Sequence, residues 1–173
     1  PLDAWVAATA QRALAYARTL IRDPHEAEDL VHDCYSRLLA KADQYDLPAN
    51  GTRLLLKSIT NASINWTQRT KRNLSLDAAD QADGRETPSL ADPQSLPPEE
   101  LVMTRELEEA VQRAMWELPI QQRAAIELRS LGHSLVEVAQ MLETSHANAR
   151  VQLHRARASL AARLKSFLEE QVP

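Results

Sequence analysis

The stretch SLVEVAQMLETSHANARVQLHRARASLAARL, residues 134–164, has the pattern of a short helix, a tight turn and a longer basic helix. Ser134 and Glu137 have the spacing of a capping box, which marks the start of the first helix. A turn falls at residues 143–145, whose threonine or serine hydroxyl can cap the second helix. This order of elements predicts a helix-turn-helix, the unit that places a helix in the major groove of DNA.

The second helix of this unit has two chemically different faces. Apolar residues at i, i+4, i+7 and i+11 predict its buried face: Ala149, Leu153, Ala156 and Leu160. At about 100° per residue, the opposite face carries Ala147, Val151, His154, Arg155 and Ala158, flanked by Asn148 and Arg150. Small, polar and cationic side chains suit contacts with base edges and phosphates. The alternative on the pattern alone is a helical hairpin whose basic face is solvated.

Composition favours an all-α protein, because the 173 residues include one Phe, three Gly and long runs of Ala, Leu, Arg and Glu. The net charge of −4 argues against tight DNA binding by the chain alone, since nucleic-acid binders are usually basic. It favours a protein that reaches DNA together with a larger partner.

The single cysteine excludes an intramolecular disulfide and indicates a reducing compartment. Cys34 lies four residues from both Leu30 and Leu38, which predicts a small core residue. The chain has no apolar run long enough for a membrane span and no signal-peptide segment, so we expect it to be cytoplasmic, without membrane insertion of its own.

Helical periodicity predicts helices at 3–22, 24–41 and 53–72, with a turn at 43–52 that contains Pro48 and Asn50-Gly51. Residues 73–98 lose all periodicity and are rich in Asp, Ser and Pro, which predicts a flexible acidic linker. Helices resume at 99–117 and 119–131, and the helix-turn-helix follows. The fold class is therefore all-α, with two small helical modules at 1–72 and 99–173 joined by the linker.

Three segments together resemble the extracytoplasmic-function sigma factors, the smallest members of the sigma-70 family. DPHEAEDLVHDCYSRLL, residues 23–39, resembles the region 2.2 pattern, and LLLKSITNASINWTQRTKR, residues 54–72, aligns without gaps to the region 2.4 pattern. LPIQQRAAIELRSLGHSLVEVAQMLETSHANARVQLHRAR, residues 118–157, resembles region 4.2. Such proteins keep only region 2 and region 4, so the resemblance covers nearly the whole chain except the linker.

The resemblance implies three binding surfaces. The surface that docks on the coiled coil of the polymerase β′ subunit would include Asp29, Leu30, Val31, Asp33 and Tyr35. The −10 stripe, which would contact the −10 promoter element, consists of Arg53, Lys57, Asn61, Asn65 and Arg69. The surface for the −35 element would include Ser145, His146, Asn148, Arg150, Val151, His154 and Arg155. The implied partners are core RNA polymerase through its β′ and β subunits, promoter DNA and an anti-sigma factor.

The chain departs from the family pattern at several positions. Leu54 stands where the family often has Trp, and Gly51 stands where Phe is common. Glu143 replaces the glycine frequent in the turn of the helix-turn-helix. Because glutamate costs more than glycine where φ is positive, we expect this turn to differ in shape. Asn148 and Val151 stand where Thr and Ser are frequent, which leaves the promoter sequence open.

Two alternatives to a sigma factor remain: a sigma-like decoy that binds an anti-sigma factor, and a conventional helix-turn-helix regulator. An enzyme is not expected, and neither a cofactor nor a metal is implied. Asp29-x-x-His32 and Glu143-x-x-His146 resemble half of a di-iron motif, but the second copy straddles the predicted turn.

Overall fold

The structure is a computed structural model that describes residues 2–76 and 98–171, and all of the regular elements within those ranges are helices. They are α1 Leu2–Leu20, α2 Pro24–Leu39, α3 Leu47–Leu76, α4 Pro98–Trp116, α5 Ile120–Ser130, α6 Leu135–Met141 and α7 His146–Gln171. This confirms the all-α prediction. The predicted flexible linker lies almost entirely outside the described residues.

The N-terminal module packs α1, α2 and α3 against one another. The start of α2 is as predicted, because the Asp23 carboxylate accepts hydrogen bonds from the backbone N–H groups of His25 and Glu26 at 2.9 and 3.3 Å. Cys34 is buried, which confirms its predicted place in the core. Deeper in the module, the Tyr16 hydroxyl lies 2.7 Å from the Thr60 hydroxyl, joining α1 to α3.

The predicted turn at residues 43–52 was wrong in its second half, because α3 already begins at Leu47. Pro48 fits the first turn of a helix, where its missing N–H is not needed, and the Asp46 carboxylate accepts a hydrogen bond from Ala49 N–H at 3.1 Å. Gly51 lies inside the helix, where a Cβ atom would come within 2.7 Å of the Trp5 indole. This glycine therefore serves close packing, and its backbone φ does not need to be positive.

The C-terminal module confirms the predicted helix-turn-helix. Gly132 ends α5 with φ 93°, and His133 N–H donates to Leu128 O at 3.2 Å, as in a Schellman motif. Ser134 and Glu137 form the predicted capping box at the start of α6. On α7 the predicted inner face is confirmed: Ala149, Leu153 and Ala156 are buried, and Leu160 is half-buried.

The two modules pack together, with α6 against α3 and α5 against both α1 and α3. One continuous cluster of buried apolar side chains includes Leu56 and Ile59 of α3 together with Leu128 of α5 and Met141 of α6. The sequence left this arrangement open. Because the modules share a core, the surfaces of one can cover those of the other.

Candidate nucleic-acid and polymerase interfaces

All seven residues predicted for the −35 surface are exposed, six of them on α7 and Ser145 directly before it. Val151 is 42% exposed at the centre of this face, which leaves it available to a base methyl group. Ser145 caps the helix by accepting from Asn148 N–H at 3.1 Å. The Asn148 amide donates to the Thr144 hydroxyl at 2.7 Å, which orients this side chain at the start of the helix.

Beside this face lies a cationic cavity of about 410 Å³, here called the arginine pocket, lined by Arg129, Arg150, His154 and Arg157. Arg129 comes from α5 and donates to His133 O at 2.5 Å, which fixes the direction of its guanidinium. Three guanidinium groups around one cavity suit a phosphate. Arg157 could have been found from its i+7 spacing to Arg150, whereas the contribution of Arg129 required the fold.

The −10 stripe follows α3 with a spacing of four residues, so it turns by about 40° per step around the helix. Asn65 and Arg69 are exposed and Asn61 is half-buried. At the other end of the stripe, Arg53 and Lys57 form ion pairs with acids of the C-terminal module. Arg53 Nη1 lies 3.4 Å from Glu137 Oε1, and Lys57 Nζ lies 3.2 Å from Glu143 Oε1.

Only part of the predicted polymerase-docking surface is accessible on α2. Asp29 and Asp33 are exposed and Leu30 is half-buried, but Val31 and Tyr35 are buried. The Tyr35 hydroxyl lies 2.7 Å from that of Thr9, and its ring packs edge-on against Trp5 with centroids 5.5 Å apart. Val31 and Tyr35 therefore pack into the three-helix core and lie off the exposed face of α2, and their part in polymerase docking stays a prediction.

Arg123 is a structural centre that the sequence analysis did not single out. Its Nη1 lies 3.2–3.3 Å from the carbonyl oxygens of Met115 and Trp116, at the end of α4, and of Leu118, two residues beyond it, and donates to them. Its Nη2 donates to Leu20 O at the end of α1, at 3.2 Å, and so joins the two modules. Burial, reinforced by the nearby charge of Arg22, lowers the pKa of Arg123 to about 10.

Trp116 completes this centre. The guanidinium carbon of Arg123 lies 4.3 Å from the centroid of the indole, and that of Arg22 lies 5.0 Å from it. Arg22 follows α1 and Arg123 lies on α5, so the indole contacts cations from both modules.

Within the described residues, no group of three or more His, Cys, Asp or Glu side chains is arranged to hold a metal ion. Glu143 lies in the turn between α6 and α7, whereas His146 begins α7, so the second copy of the di-iron-like motif straddles the turn as predicted. None of the described helices combines the length and apolar character needed to cross a membrane.

Comparison with known proteins places both modules in the sigma-70 class. The family model for sigma-70 region 2 matches residues 5–73 and the model for sigma-70 region 4 matches residues 108–160. Two curated relatives from Bacillus subtilis (strain 168) are the ECF RNA polymerase sigma factors SigW and SigX. SigW is 26% identical over 150 residues, which are 86% of this chain and 80% of SigW. SigX is 28% identical over 154 residues, which are 87% of this chain and 77% of SigX.

A solved structure shares the fold. It is the sigma factor RpoE in complex with the anti-sigma factor NepR from Bartonella quintana, with a TM-score of 0.71, 22% identity and coverage of 92% of this chain and 94% of that one. The chain belongs to the extracytoplasmic-function subfamily of the sigma-70 family.

Proposed function

We propose that this sigma factor binds core RNA polymerase, directs it to promoters with −10 and −35 elements, and helps to melt the duplex. The observation that carries the proposal is the pairing of an exposed helix-turn-helix face with a cationic stripe on a second module. A protein with these two surfaces can contact two promoter elements at once. It performs no chemistry itself, and it works in the cytoplasm, where polymerase and chromosome are found.

For the −35 element, α7 would lie in the major groove with Arg155 and Val151 toward the bases. The arginine pocket would hold a backbone phosphate and so set the position of the helix. Arg155→Ala should weaken binding by about 1–3 kcal/mol if the guanidinium contacts a base, and the loss should disappear when that base pair is changed. Arg129→Gln should weaken binding to every sequence similarly, because a phosphate carries no sequence information.

The assay is duplex binding at a promoter first located by mapping start sites with reconstituted polymerase. Lys165→Ala is the matched control, since this exposed cation lies on the same helix and pairs with Glu169. Unchanged affinity of the Arg155 variant on matched and mutated promoters would refute the −35 assignment.

For the −10 element, the −10 stripe would hold the opened non-template strand. Melting requires a base to leave the stack, which costs a few kcal/mol, and cations along the strand offset part of that cost. Arg53→Gln combined with Lys57→Gln should therefore reduce open-complex formation by the reconstituted holoenzyme. Full promoter opening by this variant would exclude these two residues from the −10 surface.

For core polymerase, we propose a docking surface formed by Asp29, Leu30 and Asp33, with Val31 and Tyr35 supporting it from inside the module. Carboxylates around a small apolar centre suit a basic partner helix. Asp29→Lys combined with Asp33→Lys should weaken core binding strongly, because like charges at such an interface cost several kcal/mol. Asp3→Lys combined with Asp43→Lys is the control, since it changes the net charge equally at exposed positions of the same module. Equal affinity of the two variants would contradict the docking surface.

The RpoE structure contains an anti-sigma factor, and we propose that an anti-sigma factor also regulates this chain. Run-off transcription with core enzyme separates an active sigma factor from a decoy that only binds an anti-sigma factor. Promoter-dependent transcripts are expected. Binding of an anti-sigma factor without any transcript would favour the decoy.

A further inference from the structure

The contacts between the −10 stripe and the helix-turn-helix come from two acids on different parts of the C-terminal module. Glu137 belongs to the first turn of α6, and Glu143 belongs to the turn that follows α6. Their carboxylates lie 3.4 Å from Arg53 and 3.2 Å from Lys57, two cations one helical turn apart on α3. Two successive DNA phosphates bound to this stripe would also place two negative charges beside these cations.

The backbone at Glu143 makes this contact informative. Glu143 has φ 51°, and it is the one non-glycine residue with positive φ in the described part of the chain. The turn therefore keeps the left-handed geometry typical of glycine, contrary to the expectation of a different shape. Glu143 N–H donates to Gln140 O at 3.3 Å and Thr144 N–H donates to Ala139 O at 3.0 Å, which makes a Schellman motif.

The end of α5 provides a direct comparison within the same protein. There the equivalent position of the same motif is Gly132, with φ 93° and no strain. The motif accommodates glycine freely, so nothing in the turn itself favours a glutamate at position 143. A strained residue at such a position indicates a role for its side chain, and the contact that the side chain makes is the ion pair with Lys57.

We propose that Glu143, assisted by Glu137, is an internal mimic of DNA phosphate that covers the −10 stripe while the protein is free. Single-stranded DNA must displace the two carboxylates before it can contact Arg53 and Lys57. The inference rests on the −10 role proposed above for these two cations.

The same conformation leaves the −35 surface open. Arg150, Val151 and Arg155 are exposed while Arg53 and Lys57 are paired with acids. The conformation with both ion pairs formed therefore blocks single-stranded DNA from Arg53 and Lys57 but leaves α7 free to bind duplex DNA.

The test uses the full chain and a fluorescein-labelled, random-sequence single-stranded DNA, with affinity measured by anisotropy at low salt. The variant that combines Glu137→Gln with Glu143→Gln should bind this probe roughly three- to tenfold more tightly. The reason is that losing the two ion pairs raises the fraction of molecules in which Arg53 and Lys57 are free to bind DNA. Glutamine at position 137 keeps the capping box, so α6 should remain folded. Glu143→Gly should act in the same direction as Glu143→Gln, since it also removes the carboxylate while keeping the turn.

Two controls separate this effect from a simple change in net charge. Glu106→Gln combined with Glu108→Gln removes two exposed acids of α4, which packs against α7, and should leave the affinity unchanged within about twofold. Random-sequence duplex DNA should bind the wild type and the Glu137/Glu143 variant equally. The proposal would be overturned if the α4 variant gained the same affinity for single-stranded DNA. It would also be overturned if the Glu137/Glu143 variant gained the same affinity for duplex DNA, or gained none for single strands.

Failure of the underlying −10 assignment gives a different result. If the Arg53→Gln/Lys57→Gln holoenzyme opens promoters normally, the −10 role of these residues is wrong and the inference falls with it. If that holoenzyme is defective but the Glu137/Glu143 variant binds single strands like the wild type, only the mimicry is refuted.

Discussion

Replacing Arg123 by methionine should reduce the stability of the whole protein by about 3 kcal/mol. Methionine keeps an unbranched apolar stem in the same space but donates no hydrogen bond. The carbonyl oxygens of Leu20 and Leu118, whose contacts with Arg123 are buried, would lose a charged donor. Hydrogen bonds to charged groups contribute about 1.5–3 kcal/mol each, so these two alone predict a loss of about 3 kcal/mol or more.

Two further contributions act in opposite directions. Loss of the guanidinium over Trp116 removes a cation–π contact of about 1 kcal/mol. Removal of the charge also relieves its desolvation, which is the main cause of the lowered pKa of Arg123. The predicted loss of about 3 kcal/mol therefore rests on the carbonyl groups, which methionine leaves buried without this donor.

The assay is urea unfolding followed by circular dichroism. With a denaturant slope of about 2 kcal/mol per molar, the midpoint should fall by more than about 1 M. Arg113→Met is the matched control, because Arg113 lies on α4, is exposed and pairs with Glu109, and its replacement should change stability by less than about 0.5 kcal/mol. Similar midpoints for the two variants would refute the view that Arg123 holds the modules together.

Three further predictions concern the N-terminal module. Tyr16→Phe should cost about 1 kcal/mol in urea unfolding, whereas Thr60→Val should cost more, because it leaves the buried tyrosine hydroxyl without its 2.7 Å partner; equal losses would contradict this asymmetry. Gly51→Ala should destabilise by about 1–3 kcal/mol despite the better helix propensity of alanine, since its Cβ would meet the Trp5 indole at 2.7 Å, and a rise in melting temperature would show that the ring moves aside. Burial raises the pKa of the Cys34 thiol from 9.0 to about 11, so the folded protein binds more protons than the unfolded chain in this range and should lose stability as pH rises through it; alkylation at pH 9 as fast in the native protein as in urea would refute the burial.

Local signals predicted most of the helix boundaries. Asp23 and Ser134 were identified as helix starts because a capping side chain needs only its own neighbours within three residues. Gly132 was identified as a helix end for the same reason. The inner face of α7 followed from periodicity alone, since a helix with one buried stripe has only one way to face the core.

The errors arose where a distant residue decides the local structure. Pro48 and Gly51 look like turn residues, but Trp5 of α1 occupies the space beside Gly51 and makes glycine suitable inside a helix. Tyr35 was predicted to lie on an outer face of α2, but it packs against Thr9 and Trp5 of α1. Neither contact has a signature within the segment itself, so both required the packed structure.

The arrangement of the two modules depends on apolar contacts and on Arg123 more than on the ion pairs at the −10 stripe. Both pairs are half-exposed, and exposed pairs contribute about 0–1 kcal/mol each. Together they can change the ratio of covered to uncovered stripe by about tenfold, which corresponds to 1.4 kcal/mol. Higher salt should therefore uncover Arg53 and Lys57 by screening, while the modules remain packed through their shared core. Full separation of the modules requires a partner that replaces the buried contacts.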